Sequence, residues 1–295
     1  MKNKLMTIMT VLIIICALTL AFAGCAGGEG EKDDFDNGVS EDGSIDGGIS
    51  GDNETNGEDD PSEPEDSVPE PPAVSPPAPK PEVTYDVLLV SLTNDLNIRT
   101  GRGSSYASLG KIDKGDAVAK IGSAVDGWYK TVYKERTAYV SAKYVKEMKF
   151  EKSQNAKVEK VLEEGKKLLG YPYVWGSQRY HWGNGKLNPD FKAGQFDCSA
   201  LMQYIYYHGA SVNLELTTRT QVLQGKEVKK SDLRRGDLMF FTNAERKHYS
   251  GIERIGHVAV YLGNNYILHT ASDYAVIEEI SSTRWSYYEV SKRLI

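Results

Sequence analysis

The chain has 295 residues, enough for two modest domains, and 35 basic against 41 acidic side chains give it a formal net charge of −6. Residues 26–82 hold 18 acidic and 2 basic side chains, a net charge of −16, whereas residues 83–295 carry a net charge of +8. A basic body of this kind favours an anionic polymer as its partner. The same charge could serve nucleic acid, but the sequence has no groove-reading motif to support that partner, and the export predicted below argues against it.

The first 25 residues have the pattern of a signal peptide. Two lysines in residues 1–4 precede an apolar run over residues 5–23. The ending Phe22-Ala23-Gly24-Cys25 resembles the lipobox of bacterial lipoproteins, in which the cysteine is lipidated and becomes the mature N-terminus, although phenylalanine replaces the usual leucine. The alternative is an uncleaved membrane anchor. The prediction is an exported protein, lipid-anchored through Cys25 to the outer face of the bacterial cytoplasmic membrane.

Cysteine usage then singles out one thiol. Cys16 lies within the signal peptide and Cys25 would carry lipid, so Cys198 is the one cysteine that remains. No disulfide is therefore expected within the mature chain, and a free thiol in an exported protein requires a reason.

Residues 26–82 form an acidic and proline-rich linker. They consist mainly of Gly, Ser, Asp, Glu and Pro and contain almost no large apolar side chains. Such a segment buries too little surface to offset the entropy of ordering, which predicts disorder. Residues 61–81 are rich in proline and are predicted to be extended. The linker would hold the folded part away from the membrane.

Residues 83–148 contain short β-rich runs separated by glycines, a pattern typical of a small all-β barrel. Several of these runs resemble a bacterial SH3-like domain: Leu96–Gly101, Lys114–Asp116, Gly127–Val132 and Ala138–Val145. The resemblance implies a module that binds the cell wall or keeps a neighbouring active site beside it. Trp128 is predicted to lie in the barrel core.

After Ser153 the apolar residues recur with a helical period, and Gly170 and Pro172 are predicted to end the helix. The apolar face of this helix comprises Val158, Val161, Leu162, Gly165, Leu168 and Leu169. A second helix is predicted to begin at Cys198. Beyond it, a turn at residues 235–237 precedes a buried strand, and residues 255–271 form a hairpin with its turn at residues 263–265.

The position of Cys198 indicates a nucleophile. A thiol at a helix N-terminus meets the positive end of the macrodipole and unpaired backbone N–H groups. This setting is expected to lower the pKa of the Cys198 thiol from about 8.5 toward neutrality.

Two histidines of the predicted hairpin would complete the site. With an odd number of turn residues, Ala259 faces His269, so His257 and His269 lie on one side of the hairpin. His257 would then serve as the base beside Cys198, and His269 would orient its imidazole. A turn of two residues would place the histidines on opposite faces.

Zinc is the alternative for two histidines and a cysteine, but no close ligand pair such as Cys-x-x-Cys occurs. The prediction is therefore a site without a metal or another cofactor. The remaining histidines, His181, His208 and His248, are predicted to lie on the solvated surface.

The motifs from residue 151 to the C-terminus resemble the NlpC family of papain-like cell-wall peptidases. They are Tyr171–Gly176, Phe196–Ala200, Arg219–Thr220, Arg235–Leu238 and Gly256–Gly263. The resemblance implies an α+β papain-like domain over residues 151–295, preceded by the SH3-like barrel. It also implies a cysteine endopeptidase that cuts peptidoglycan stem peptides after D-glutamate, at its γ-linked bond to the diamino acid.

The same matching assigns roles to individual residues. Cys198 would be the nucleophile, His257 the base and His269 the third polar residue. The residues implied in substrate or oxyanion binding are Tyr173, Asp197, Ser199 and Thr220. This chain has Ser177 and Ala200 where glycine is usual, and its loop over residues 177–195 is longer than usual, which leaves its substrate selectivity open.

Two other functions are compatible with the sequence. A related amidase of the CHAP type would cut the sugar–peptide bond, and a non-catalytic lipoprotein would only bind the wall. If Asp197 meets a free amino terminus, the substrate would be a stem peptide already released from glycan. The short join between the two predicted domains favours this case, whereas a membrane tether and a long spacer suit a groove open to intact wall. The sequence does not decide between the two.

Overall fold

The structure is a computed structural model that describes residues 82–271 and 273–295. The predicted signal peptide, the lipidation residue Cys25 and residues 26–81 of the predicted linker lie outside this range. Within the described residues, no helix is both long enough and apolar enough to cross a bilayer.

The N-terminal part of the described chain is all-β. Its strands are β1 (Tyr85–Ser91), β2 (Leu96–Arg99), β3 (Ser108–Ile112), β4 (Ala117–Ala119), β5 (Ile121–Val125), β6 (Trp128–Tyr133), β7 (Arg136–Ser141) and β8 (Val145–Glu151), with a 3₁₀ turn at Ala142–Tyr144. Five of them form an antiparallel sheet in the order β3-β2-β7-β6-β5.

The C-terminal part mixes helices and strands. The helices are α1 (Ala156–Lys167), α2 (Cys198–Ala210), α3 (Thr218–Gln221) and α4 (Ser282–Ser286), with 3₁₀ turns at Lys230–Asp232 and Gly251–Arg254. The strands are β9 (Lys226–Val228), β10 (Leu238–Phe241), β11 (His257–Gly263), β12 (Tyr266–Thr270), β13 (Ala275–Glu279) and β14 (Tyr288–Arg293). The predicted fold class, an all-β region followed by an α+β domain, is confirmed.

The two parts share one sheet. Strands β1, β4 and β8 join the C-terminal strands in the order β8-β1-β4-β13-β12-β11-β10-β14-β9, and Ala117 pairs with Ile277 at the junction. Leu88, Leu89 and Val90 are successive and all buried, so β1 is covered on both faces. The N-terminal part is therefore joined to the C-terminal part through β4, and the boundary predicted at residue 148 stays a prediction.

A buried ion network fixes the turn before β10. The guanidinium of Arg235 donates to Glu159 of α1 at 2.8 Å and to Asp86 of β1 at 2.7 Å, and Lys166 also donates to Asp86 at 3.0 Å. These charges are nearly excluded from solvent, so removing one of them would leave the others buried and unpaired. The predicted turn thus joins both parts of the chain.

Helices α1 and α2 approach each other closely at Gly209. A Cβ atom on Gly209 would lie 2.4 Å from the Cα of Val161, a distance that real side chains do not show. This contact brings α1 against α2, which in turn packs on β11 and β12. The close approach, near the C-terminal end of α2, helps to hold this helix against the hairpin.

The prediction that Trp128 belongs to the barrel core is wrong. Along β6 the fully buried residues are Thr131 and Tyr133, and the two-residue period directs Trp128 to the opposite face. Trp128 is half-buried and lines, together with the exposed Tyr144, a surface cavity of about 410 Å³.

Candidate active site

The N-terminus of α2 is capped by the residue that precedes Cys198. The Oδ1 atom of Asp197 accepts a hydrogen bond from the Ala200 backbone N–H at 2.8 Å and one from the Ser199 hydroxyl at 3.0 Å. The Ser177 hydroxyl accepts the backbone N–H of Asp197 at 2.7 Å. This cap starts the helix at Cys198, which is a free cysteine, as its position in the sequence predicted.

The hairpin of β11 and β12 has the register that places both histidines on one face. Val260 pairs with Leu268, so Ala259 lies opposite His269. The turn has two residues, Asn264 and Asn265, both with positive φ, rather than the three predicted. A bulge at Leu262, between Tyr261 and Gly263, supplies the extra residue that keeps both histidines on one face. The Nε2 atom of His257 lies 2.9 Å from the Nδ1 atom of His269.

A carboxylate that the sequence reasoning missed lies behind this pair. The Oε1 atom of Glu278 is 3.0 Å from His269 Nε2 and 3.0 Å from Arg284 Nη2. Val276 of β13 pairs with His269, so Glu278, two residues further, shares the face of His269. The alternating pattern after residue 274 could have revealed this neighbour if β13 had been predicted.

Cys198 faces the start of β11. The backbone N–H groups of Val258 and of Ser199 point at its thiol. Cys198 lines a cavity of about 790 Å³, and His257 lines a second cavity of about 500 Å³. The two cavities share Tyr173, Asn243 and Gly256 on their walls, so Cys198 and His257 border a common groove.

Both titratable groups of this pair are pushed toward their neutral forms. Burial raises the pKa of the Cys198 thiol to about 12, and the charge of Asp197 acts in the same direction. Burial lowers the pKa of His257 well below its ordinary value, and the charges of His269 and Arg284 lower it further. Burial therefore acts against the expected lowering of the Cys198 pKa, whereas the backbone N–H groups of Val258 and Ser199 and the charge of Arg179 act in its favour.

Tyr173 lies between the two cavities. Its backbone forms a parallel bridge with Phe196, which carries the segment past the N-terminus of α2. Burial raises the pKa of Tyr173, and so do the nearby charges of Cys198 and Asp197. The phenol is thus close to the thiol, and its oxyanion-binding role stays a prediction.

Asp197 and Ser199 are both engaged within the protein. The second carboxylate oxygen of Asp197 accepts a hydrogen bond from Arg179 Nη1 at 2.9 Å, and the Ser199 hydroxyl is bound to the first. Arg179 also donates from Nε to the carbonyl of Leu216. The Asp197 carboxylate therefore faces the groove as half of an ion pair.

Thr220 does not line the cavity over Cys198. Its hydroxyl is bound to Thr217 in the capping box of α3, and the wall is formed by Thr217, Thr218 and Arg219 instead. The assignment of Thr220 to the substrate site is accordingly not supported by its position, because the helix turn directs its side chain toward its own N-cap.

The long loop over residues 177–195 contributes Arg179 to the groove and also buries a histidine. His181 is fully buried, with Nδ1 accepting the Gly183 backbone N–H at 3.1 Å, so its prediction as a surface residue is wrong. The cause is its position beneath the aromatic ring of Tyr207 on α2. His208 and His248 are exposed, as predicted.

Metal ligation was the alternative for this site. Within residues 82–271 and 273–295, no group of three or more His, Cys, Asp or Glu side chains is arranged to hold a metal ion.

Two segments of the chain match known families. Residues 170–293 match the family model described as NlpC/P60 family, and residues 94–146 match that described as bacterial SH3 domain. Both matches agree with the resemblances noted in the sequence.

Individual relatives are similar over part of their length. The peptidoglycan DL-endopeptidase CwlO of Bacillus licheniformis is 34% identical over 38% of this chain and 24% of its own length. The probable endopeptidase NlpC homolog of Haemophilus influenzae is 33% identical over 44% of this chain and 64% of its own length. The chain thus spans less than two thirds of each. An NlpC/P60 family protein from Bacillus cereus, of known structure, is 19% identical over 70% of this chain and 63% of that chain, with a TM-score of 0.37.

Proposed function

We propose that the chain is a cysteine endopeptidase acting on peptidoglycan stem peptides, because residues 170–293 match the NlpC/P60 family model and residues 94–146 match the bacterial SH3 domain model. The bond proposed is the γ-linked bond between D-glutamate and the diamino acid. The observation that carries the proposal is the contact of His257 with His269, at 2.9 Å, beside the groove that Cys198 also lines.

The first chemical step is acylation. Nδ1 of His257 takes the thiol proton while Cys198 Sγ attacks the γ-carbonyl carbon of D-glutamate. The resulting oxyanion would be met by the Tyr173 hydroxyl and the backbone N–H groups at the start of α2. The imidazolium returns its proton to the leaving amine of the diamino acid, and the C–N bond breaks.

Deacylation reverses the proton path. Water attacks the thioester while His257 takes its proton, and the C–S bond breaks to release the D-glutamate carboxylate and restore the thiol. A resting pair of thiol and neutral imidazole suits this sequence, because the base must be unprotonated before the thiol can transfer its proton. His269, whose Nδ1 lies 2.9 Å from Nε2 of His257, keeps the imidazole oriented through both steps.

Arginine side chains in the groove support an anionic substrate. Arg179, Arg219 and Arg246 line the cavity over Cys198, together with the carboxylates of Asp197 and Glu245. Guanidinium groups bind carboxylates in a bidentate geometry, and a stem peptide carries free carboxylates on both sides of the proposed bond. The name of the relative from Bacillus licheniformis, a peptidoglycan DL-endopeptidase, supports the same bond.

The contact of Asp197 with Arg179 supports a substrate without a free amino terminus. An ammonium would have to compete with the 2.9 Å hydrogen bond from Arg179 for the carboxylate. An acylated stem, as found on intact glycan, leaves that pair in place. We therefore propose attached stem peptides as substrates, which reverses the preference drawn from the short join between the domains.

Tethering to the membrane completes the proposal. Lipidation of Cys25 after export would anchor the chain at the outer face of the cytoplasmic membrane. The acidic linker of residues 26–82 would let the basic part of the chain reach the wall, whose polymers are anionic.

Product masses test the proposed bond. Purified muropeptides digested by the full chain should yield fragments that end in D-glutamate, and Cys198→Ala should yield none. Release of an intact stem peptide from its sugar would instead identify an amidase of the CHAP type. Binding to the wall with no product from the wild type would identify a non-catalytic lipoprotein.

A further inference from the structure

Glu278 lies directly behind His269 and contacts neither the groove nor Cys198. Its Oε1 atom receives two donors, His269 Nε2 and Arg284 Nη2, each at 3.0 Å. The His269 side chain is completely excluded from solvent, so both of its ring nitrogens depend on protein partners.

We propose that Glu278, held by Arg284, is a positioning residue that fixes the tautomers of both histidines and makes Nδ1 of His257 the atom that accepts the thiol proton. This inference rests on the proposed function, in which His257 is the base. It adds a fourth group to Cys198, His257 and His269.

The assignment follows from counting donors and acceptors. An ionised carboxylate only accepts hydrogen bonds, so Nε2 of His269 must carry the hydrogen that points at Glu278. Nδ1 of His269 is then an acceptor, and Nε2 of His257 must donate to it across 2.9 Å. Nδ1 of His257 is left with its lone pair. The opposite tautomer of His269 would place two acceptors 3.0 Å apart.

Glu278 and Arg284 shift the pKa values of the two histidines in opposite directions. Burial raises the pKa of Glu278, but its contacts with His269 and Arg284 lower it overall, which keeps it ionised. Glu278 raises the pKa of His269, whereas Arg284 lowers the pKa of both His269 and His257. Asp116, the residue before β4, also lies near Glu278, and burial raises its pKa to about 6.

These opposite signs give a test that a purely structural role would fail. Protonation of the base ends activity at low pH, so the acid limb of kcat/KM follows the pKa of the histidine pair. Glu278→Gln removes the negative charge and should move this limb to lower pH, with kcat reduced about tenfold because a charged hydrogen bond becomes neutral. Arg284→Met should move the limb to higher pH.

Two control variants separate the other contributions. Glu279→Gln changes the neighbouring carboxylate on the exposed face of the same strand and should leave the profile unchanged. Asp116→Asn removes a third charge near the two histidines. It should shift the acid limb of the kcat/KM profile less than Glu278→Gln does. Shifts of the same sign in Glu278→Gln and Arg284→Met, or no shift in either, would overturn the proposal.

A second measurement needs no turnover. Nitrogen-15 NMR of the purified full chain at neutral pH should show His257 and His269 each protonated at Nε2 alone. Glu278→Ala should give a mixture of tautomers at His269. Protonation of His269 at Nδ1 in the wild type would refute the assignment. A wild type that hydrolyses no muropeptide yet shows the expected tautomers would count against the proposed function alone.

Discussion

His257 and His269 lie twelve residues apart in sequence, and their ring nitrogens Nε2 and Nδ1 lie 2.9 Å apart across neighbouring strands. The contact makes His269 an orienting group, so removing its side chain should lower kcat less than removing the nucleophile does. We expect His269→Ala to lower kcat by roughly 10²-fold and Cys198→Ala to abolish it. His269→Gln should recover part of the activity, because an amide can still hold the imidazole.

Steady-state kinetics on one muropeptide, with zinc analysis of each variant, checks this prediction. Equal and total loss in the alanine and glutamine variants, together with zinc in the wild type alone, would identify a metal site instead.

The second prediction concerns the thiol. Because burial raises the pKa of Cys198 to about 12, the thiolate is scarce at neutral pH. The rate of alkylation by iodoacetamide should still be rising between pH 7 and 9.5, where an ordinary thiol with a pKa of about 8.5 approaches its plateau. A short cysteine peptide serves as the reference. A plateau below pH 7 in the protein would show a thiolate–imidazolium pair at rest and contradict the neutral pair.

The third prediction concerns substrate selectivity. Wild type should cleave an N-acetylated stem tetrapeptide at least as fast as the free tetrapeptide, because Arg179 occupies the Asp197 carboxylate. Arg179→Ala frees this carboxylate and should raise the relative rate on the free peptide. Asp197→Asn is the matched control, since asparagine also caps a helix but offers no charge to an ammonium. A tenfold preference of the wild type for the free peptide would refute the proposal of acylated substrates.

The fourth prediction concerns the seating of α2. Gly209→Ala should lower the free energy of unfolding by about 1–3 kcal/mol, because the added Cβ would overlap the Val161 backbone. Lys157→Ala, an exposed position on α1, is the control and should change it little. Chemical denaturation of the three proteins provides the comparison. Equal stability of Gly209→Ala and the control would show that the helices can separate without cost.

The local elements of the site could be predicted because their signals are short-range. The helix beginning at Cys198 follows from its N-cap, and the shared face of His257 and His269 was predicted from the period of a strand, although the extra residue lies in a bulge at Leu262 and not in the turn. The fold class followed from the change of apolar period near residue 153. These features depend on residues close together in the sequence.

Longer-range contacts could not be predicted. Glu278 meets His269 only because β13 pairs with β12, and Arg179 meets Asp197 across an irregular loop. The outward face of Trp128 depends on which side of β6 is covered. The raised pKa of Cys198 depends on burial by residues distant in sequence, which no pattern around the cysteine reveals.

The central claim is that Cys198 attacks the γ-carbonyl of D-glutamate. Acid-quenched turnover of a muropeptide, followed by mass spectrometry of the peptide that contains Cys198, tests it most directly. We expect a thioester adduct on Cys198 whose added mass corresponds to the substrate up to and including D-glutamate. The Cys198→Ser variant should form no thioester. Product formation with no adduct on Cys198, or an adduct ending at another residue of the stem, would contradict it.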